Sequence, residues 1–352
     1  MNLIRSVIRS SVAPIRLGDE MKSISALLGL LLLTGPYPTV HSQGAVATSS
    51  DSRMKVVLLG TKSGPATDAQ RLGISTLILA GGEKLLFDCG RGLTIGMARL
   101  AINPADVTKV FLTHLHSDHI VSLPELLLFP WASQGRAAPL NVWGPDGTRS
   151  MVNHLQQAFS FDIHIRRDVD ERFSPEGIRV IASDIREGVV HEVNGVRVIA
   201  FLVDHGPVKP AFGYRVDYQG HSVVISGDTK PSEGLIKNSQ GVDVLIHELG
   251  QSKQSAVLTG PPDELIPNSR LTRRQARTIA DHHTDAAEAG HVFERVRPKL
   301  AVFSHFSNIV PSDILPLVRQ SYSGPVEFGE DLMTIEIGSA INIQRYAPTN
   351  KQ

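Results

Sequence analysis

Four apolar runs in this sequence end on residues that bind metal ions well. "KVFLTHLHSDH" (109–119), "VRVIAFLVDH" (196–205), "HSVVISGD" (221–228) and "KLAVFSH" (299–305) open with Val, Ile, Leu and Phe, the composition of buried strands. Each then closes on histidine or aspartate. Strands that run the same way carry their C-terminal ends to one rim, which is where open α/β sheets gather ligands. The pattern predicts a fold that brings His114, His116, His205, Asp228 and His305 together. An unrelated surface histidine at each strand end would have to recur several times over.

The rest of the chain supports an α/β architecture. Strand-like segments at 54–60, 75–81, 84–90, 140–145 and 242–248 alternate with helix-like ones such as "LTIGMARLAI", "SLPELLLFPW" and "RSMVNHLQQAF". "NPAD" (103–106) breaks one helix, and Gln219-Gly220 turns a hairpin. Helices are expected around 271–281 and 285–296, before the strand that ends at His305. Residues 250–268 read as a long polar loop, a length that is usually functional or mobile.

The chemistry concentrates in "THLHSDHI" (113–120). The chain holds 14 histidines in 352 residues, yet three fall within six positions here, His114, His116 and His119. Two apart in extended chain, His114 and His116 point the same way and can share one cation. Asp118 and His119 follow the turn and face a second. Asp228, a short acid beside Gly227, can approach both cations, and His205 and His305 complete the two sets. Catalytic zinc sites keep three protein ligands and an open position. Histidine and aspartate donors suit zinc best and also accept manganese or iron.

"HLHSDH", "SGDT" and the late "SHFS" resemble the metal motifs of the metallo-β-lactamase superfamily. "DCGRG" (88–92), "DHGPVKPAFGYR" (204–215), "LIHE" (245–248) and "HHTDAAEAG" (282–290) are similar to its ribonuclease Z-like branch. The resemblance runs from about Met54 to Ile337. It implies a four-layer αβ/βα sandwich with the metals at one edge of two mixed sheets. It also implies that His114, His116 and His205 bind one metal, that Asp118, His119 and His305 bind the other, and that Asp228 bridges them. Asp88 matches the superfamily's first aspartate, a hydrogen-bonding support for the metal loop, and Cys89 beside it reads as a core residue. Ser117 stands where the ribonuclease Z pattern carries glycine, and no glycine- and proline-rich arm for gripping tRNA is evident near 164–177.

The reaction implied is hydrolysis by metal-bound hydroxide, with Asp118 orienting the nucleophile. A leaving group needs a proton donor, and His283, ahead of a helix start at Thr284, is the candidate, with His282 as alternate. His247 and Glu248 end a buried strand at the same rim and read as support behind the ligands. Arg270, Arg273, Arg274 and Arg277 share one face at helical spacing. Cations in a first turn oppose the helix dipole, so this face is a candidate for meeting an anionic substrate.

Composition narrows the class. At 41% hydrophobic and 20% charged the chain can bury a large core, and its 35 basic and 35 acidic residues supply no global field for nucleic acid or an anionic membrane. A single cysteine excludes an internal disulfide. "ISALLGLLLLT" (24–34) behind Lys22 has the length of a signal-peptide core rather than a membrane span. The expected organisation is a leader at 1–42, with Met21 a more natural start than Met1 and cleavage after Ser42. A linker at 43–53, a hydrolase domain at 54–345 and a tail at 346–352 follow. Export to the periplasm or beyond follows from that leader; an uncleaved leader would anchor the chain instead.

The sequence thus predicts an exported metal-dependent hydrolase with two divalent ions, zinc first. It would act on an ester-type bond, phosphodiester before sulfate ester or lactone, in a small-molecule or phosphodiester substrate. Charge and export do not favour nucleic acid, stable membrane insertion is not expected, and a homodimer stays open. The alternatives are a cytoplasmic tRNA 3′-processing endonuclease, if the leader is misread, and a non-catalytic metal-binding module.

Overall fold

A computed structural model describes residues 54–347 apart from Ala256, Asn268 and Asn308. The expected leader and linker, and the tail beyond residue 347, lie outside those residues. The strands are β1 (Met54–Gly60), β2 (Ser75–Ala80), β3 (Glu83–Phe87), β4 (Lys109–Phe111), β5 (Leu140–Gly144) and β6 (Val180–Asp184), then β7 (Gly188–Val193), β8 (Val196–Leu202), β9 (Phe212–Tyr218), β10 (His221–Ile225) and β11 (Val244–Glu248). The last four are β12 (Leu300–Ser304), β13 (Val326–Phe328), β14 (Met333–Ile337) and β15 (Ile341–Gln344). They form two mixed sheets, ordered β15-β14-β1-β2-β3-β4-β5-β6 and β13-β12-β11-β10-β9-β8-β7.

The two sheets pack face to face. Val56, Leu58, Ile78, Leu85 and Phe87 of the first meet Val198, Tyr214, Val223, Ile246 and Val302 of the second in one core. Residues one position along point the other way. Val57, Leu77, Leu86 and Val110 pack under the helices Leu93–Arg99 and Leu123–Ser133, while Leu245, Ala301 and Phe303 pack under Ala286–Val296. Burial on both faces is why these strands read as continuous apolar runs instead of alternating ones. The result is the αβ/βα sandwich expected.

Strand direction places the site. β3 to β6 run parallel, as do β10 to β13. β8 is antiparallel to β9, itself antiparallel to β10, so β8 runs with β10. In the second sheet β8, β10, β11 and β12 therefore all finish at one edge. Elements not anticipated from sequence include β6, β7, β13, β14, β15 and the helices Ser160–His164, Pro175–Ile178, Glu233–Asn238 and Pro311–Val318. β6 and β7 are sheet edges with few buried residues, so no apolar run marks them. β14 hides a charge, since Glu336 lies opposite Lys55 of β1 and pairs with it at 2.7 Å. Among the described residues no helix is long and apolar enough to cross a membrane.

Candidate metal centre

The metal loop is held from beneath by Asp88. At the end of β3 this residue takes a left-handed backbone, φ 59°. That conformation is uncommon for a side-chain-bearing residue and points to a constrained functional position. Its Oδ1 accepts the backbone N–H of Thr113 at 2.9 Å, and its Oδ2 lies 2.8 Å from His119 Nδ1. With a carboxylate on Nδ1, His119 carries its proton there and turns a bare Nε2 to the rim. The same logic fixes two more rings. His114 Nδ1 donates to the Thr113 hydroxyl at 3.0 Å, and His205 Nδ1 donates to the His282 carbonyl at 3.1 Å. Asp88→Ala is therefore expected to weaken metal binding about 10- to 100-fold, the usual loss for a partner behind a ligand. A chelator competition on the purified variant measures it.

Gly227 permits the approach of Asp228. It sits at φ 62°, and a Cβ there would lie 2.6 Å from the Phe212 carbonyl oxygen. His305 leaves β12 at φ 50°, again left-handed. Both distortions bring side chains across the rim toward the "HLHSDH" loop.

The freed nitrogens converge. His114 Nε2 and His205 Nε2 lie 3.0 and 3.3 Å from His116 Nδ1, and His119 Nε2 lies 3.2 Å from His305 Nε2. Ligands around a tetrahedral zinc at about 2.0–2.1 Å sit about 3.3 Å apart, so these spacings match edges of such a shell. Asp228 Oδ2 stands between the two sets, 3.8, 3.9 and 3.4 Å from the Nε2 atoms of His114, His205 and His119. Asp118 Oδ2 is 3.3 Å from His305 Nε2. Asp228 Oδ1 and His305 Nδ1 are buried with no hydrogen-bond partner among the described residues. Lone pairs facing one another in a dry site, with orphaned polar atoms beside them, fit cations better than protons. Two ligand sets emerge by geometry, His114/His116/His205/Asp228 and Asp118/His119/His305.

Electrostatics agrees. Burial, then the neighbouring histidines, holds His114 well below the ordinary histidine value despite Asp228. Burial lowers His205 to about 4, so this ring stays neutral and able to ligate. His119 goes the other way: burial opposes its protonation, but Asp228 and Asp88 outweigh it and raise the ring well above the usual range. That excess proton affinity marks a place of concentrated negative charge that a metal would satisfy.

Behind the ligands lies a second pair. His283 Nδ1 is 2.6 Å from Glu248 Oε2, and Glu248 Oε1 accepts the Thr229 N–H at 2.7 Å. Glu248 and His283 stand with Asp228 and His305 in one cluster. His282 is used differently: its carbonyl holds His205, and its ring lies against Gly206, whose missing Cβ leaves it room.

Two expectations are corrected. His247 does not back the ligands; the alternation of β11 turns it to the helix layer, edge-on to Phe293, with Nδ1 on the Glu248 carbonyl at 2.6 Å. The arginine face is engaged by the chain itself. Arg273 pairs with Glu264, Arg274 with Asp263 at 3.0 Å, and Arg277 donates to the Leu258 and Gly260 carbonyls at 2.6 and 2.9 Å. The chain's own 258–264 loop consumes these guanidiniums. Arg270 precedes the helix, which begins only after its Thr272 cap, and so is off that face.

Sequence reading missed three contributors. Thr113 links Asp88 to His114, Gly64 donates its N–H to Asp118 Oδ2 at 2.9 Å, and Lys62 Nζ reaches the hydroxyl of Ser307, two residues past His305, at 2.7 Å. Only the residue types flanking the motif hinted at Thr113; nothing local marked the other two.

Comparison with known proteins agrees with this geometry. The profile of the β-lactamase superfamily domain matches residues 83–306. A ribonuclease Z of Mycolicibacterium gilvum (strain PYR-GCK) is 33% identical over 291 residues, covering 81% of this chain and 96% of that protein. The chain belongs to the β-lactamase superfamily, in its ribonuclease Z-like branch. A ribonuclease Z of Mycobacterium avium (strain 104) is 35% identical over 298 residues, covering 81% of this chain and 98% of its own. Two solved structures share the fold. Human tRNase Z, short form, superposes with TM-score 0.54 at 23% identity, over 80% of this chain and 99% of its own. The metallo-β-lactamase fold protein YhfI from Bacillus subtilis gives 0.60 at 18%, over 80% and 98%. As a member of this superfamily the protein is a metal-dependent hydrolase, and its histidine and aspartate clusters are built for divalent ions.

Proposed function

We propose that this protein is a binuclear phosphodiesterase that takes two zinc ions, and that it works outside the cytoplasm. The convergence of seven ligating side chains into two sets joined by Asp228 carries the reading. The ribonuclease Z relatives support phosphodiester chemistry, and the apolar run at 24–34 supports export. His114, His116 and His205 would hold one ion, Asp118, His119 and His305 the other, with Asp228 between them.

When bound, such ions polarise a phosphoryl oxygen and lower the pKa of coordinated water from 15.7 to about 7. The chain supplies orientation and protons. Asp118, held through Oδ2 by the Gly64 N–H, orients the attacking water. His283, kept protonated by Glu248, donates to the leaving oxygen. Burial opposes that protonation, but Glu248 and then Asp228 raise the ring to about 9, so the acid is charged at neutral pH. His119 and His305 of the second ligand set are both buried.

A cytoplasmic tRNA-processing endonuclease is the second reading, favoured by the names of the relatives. Against it, the region around 164–177 folds as short helical segments packed on the domain through Ile163 and Ile178. Bis(p-nitrophenyl) phosphate tests the main reading. Zinc- or manganese-loaded protein should hydrolyse it, a chelator should abolish turnover, and added metal should restore it. Fully loaded protein that leaves this ester intact while cleaving a lactone or sulfate ester would overturn the phosphodiesterase assignment. Cleavage of a tRNA precursor in preference to short diesters would favour the second reading.

A further inference from the structure

A cation lies near the metal centre without an anion of its own among the described residues. The loop after β1 runs along the rim: Lys62 N donates to the Leu72 carbonyl at 2.9 Å, Ser63 N to the Phe306 carbonyl at 3.3 Å, and Gly64 N to Asp118 at 2.9 Å. Residues 62–64 are thus threaded between the Asp118 loop and the segment that carries His305. The Lys62 side chain folds back toward that segment. Its Nζ lies 2.7 Å from both the Ser63 carbonyl and the Ser307 hydroxyl, and the Ser63 and Ser307 hydroxyls are 2.6 Å apart. Lys62 is only 6% exposed, yet among the described residues no carboxylate forms an ion pair with it.

Two further cations share the neighbourhood. Arg71 donates to the Phe306 carbonyl and Thr61 hydroxyl at 2.8 Å each, and stacks over the Phe306 ring. Arg91, whose charge also bears on Lys62, has a buried Nη2 with no partner among the described residues. The acids nearby are engaged. Asp331 accepts from Thr61 and Leu72, Asp68 from the backbone of Gln70 and Arg71, and Asp118 faces His305.

A buried ammonium met only by neutral oxygens is costly, because a charge taken out of water needs a paired charge to offset its lost hydration. An ammonium also has three protons to donate, and the contacts above use two. A cation beside a site built for dications favours an anion there.

We propose that Lys62, with the hydroxyls of Ser63 and Ser307, forms a subsite for a second phosphate-class group of the substrate, next to the one the metal centre takes. The inference rests on the phosphodiesterase reading for its ligand class. It makes Lys62 a specificity-determining residue for a substrate that carries a second phosphate-class group.

Calorimetry on the zinc-loaded protein separates the two groups, using thymidine 5′-monophosphate and thymidine 3′,5′-bisphosphate as probes. The bisphosphate should bind about tenfold more tightly, the scale of one charge-assisted hydrogen bond. Lys62→Met should erase that gap and leave monophosphate affinity within about twofold, and Lys62→Arg should restore part of it. Metal content and melting temperature are measured alongside. Should Lys62→Met fail to hold metal, Ser307→Ala provides the same reading with a smaller loss. Equal losses for both probes, or an unchanged gap, would overturn the subsite. Protein that shows the gap but hydrolyses no diester keeps the subsite and loses the phosphodiesterase reading. Protein that hydrolyses diesters without any gap does the reverse.

Discussion

Replacing Asp228 by alanine is expected to lower turnover of bis(p-nitrophenyl) phosphate about a thousandfold or more and to leave the fold intact. Asp228 stands between both ligand sets, facing His114, His119 and His205 through Oδ2 and His305 through Oδ1 at 3.2 Å. Metal polarisation stabilises a transition state by several kcal/mol, and about 4 kcal/mol corresponds to about a thousandfold. Without the carboxylate, Asp118 would offer its negative charge from one side, at His119 and His305, and the bridge between the two sets would be lost. Metal analysis of the variant should show one ion or none per chain. Burial opposes ionisation of Asp228, but His305, His119 and His114 outweigh it and hold the carboxyl well below its usual range, so its loss should also lower the melting temperature of metal-free protein at neutral pH. A variant that keeps both ions and its activity would sink the bridging role.

His283→Ala should cost about 100- to 10,000-fold in kcat while metal content stays near that of the parent. That separation of chemistry from metal loading distinguishes a proton donor from a ligand. The pH profile gives the sharper test. A donor must be protonated, so activity holds below its pKa and falls as pH rises through it. With Glu248 in place the alkaline limb is expected near pH 9, the value to which Glu248 and Asp228 raise His283 against burial. In Glu248→Gln the largest raising influence is gone and burial acts with less opposition, so the limb should move down toward the ordinary histidine value of about 6.5. A leaving group with a low pKa needs no proton, so the His283→Ala defect should shrink with p-nitrophenyl esters and grow with alkyl esters. An equal defect on both would argue against proton donation.

The site was legible in the sequence wherever local geometry decides direction. The two-residue spacing of His114 and His116, the turn before His119, and a histidine or aspartate at the close of each apolar run need only strand periodicity to be read. The helix starts at Thr272 and Asp285 were legible within a residue or two for the same reason, since both are local capping boxes. Reading failed where a residue's partner is remote in sequence. His247 and Glu248 are neighbours at one strand end, yet only Glu248 reaches His283, because successive side chains leave a strand on opposite faces. The arginine face looked free because Asp263 and Glu264, which occupy it, lie in a loop whose path no periodicity predicts. β6 and β7 were invisible because sheet edges bury too little to force an apolar pattern.

The sequence by itself marked the proposed ligand residues, the strand ends that carry them and the superfamily, because each is written in short-range spacing and motif. Tertiary structure alone decided which of His282 and His283 meets Glu248, that the arginines are spent on their own loop, and that Lys62 comes to lie beside Ser307. Those outcomes depend on which distant segments the two sheets bring to one edge. Lys62 and Ser307 are 245 residues apart and meet because β1 and β12 end on the same rim. Contacts of that span are fixed by the packing of the whole sandwich, and no window of sequence contains them.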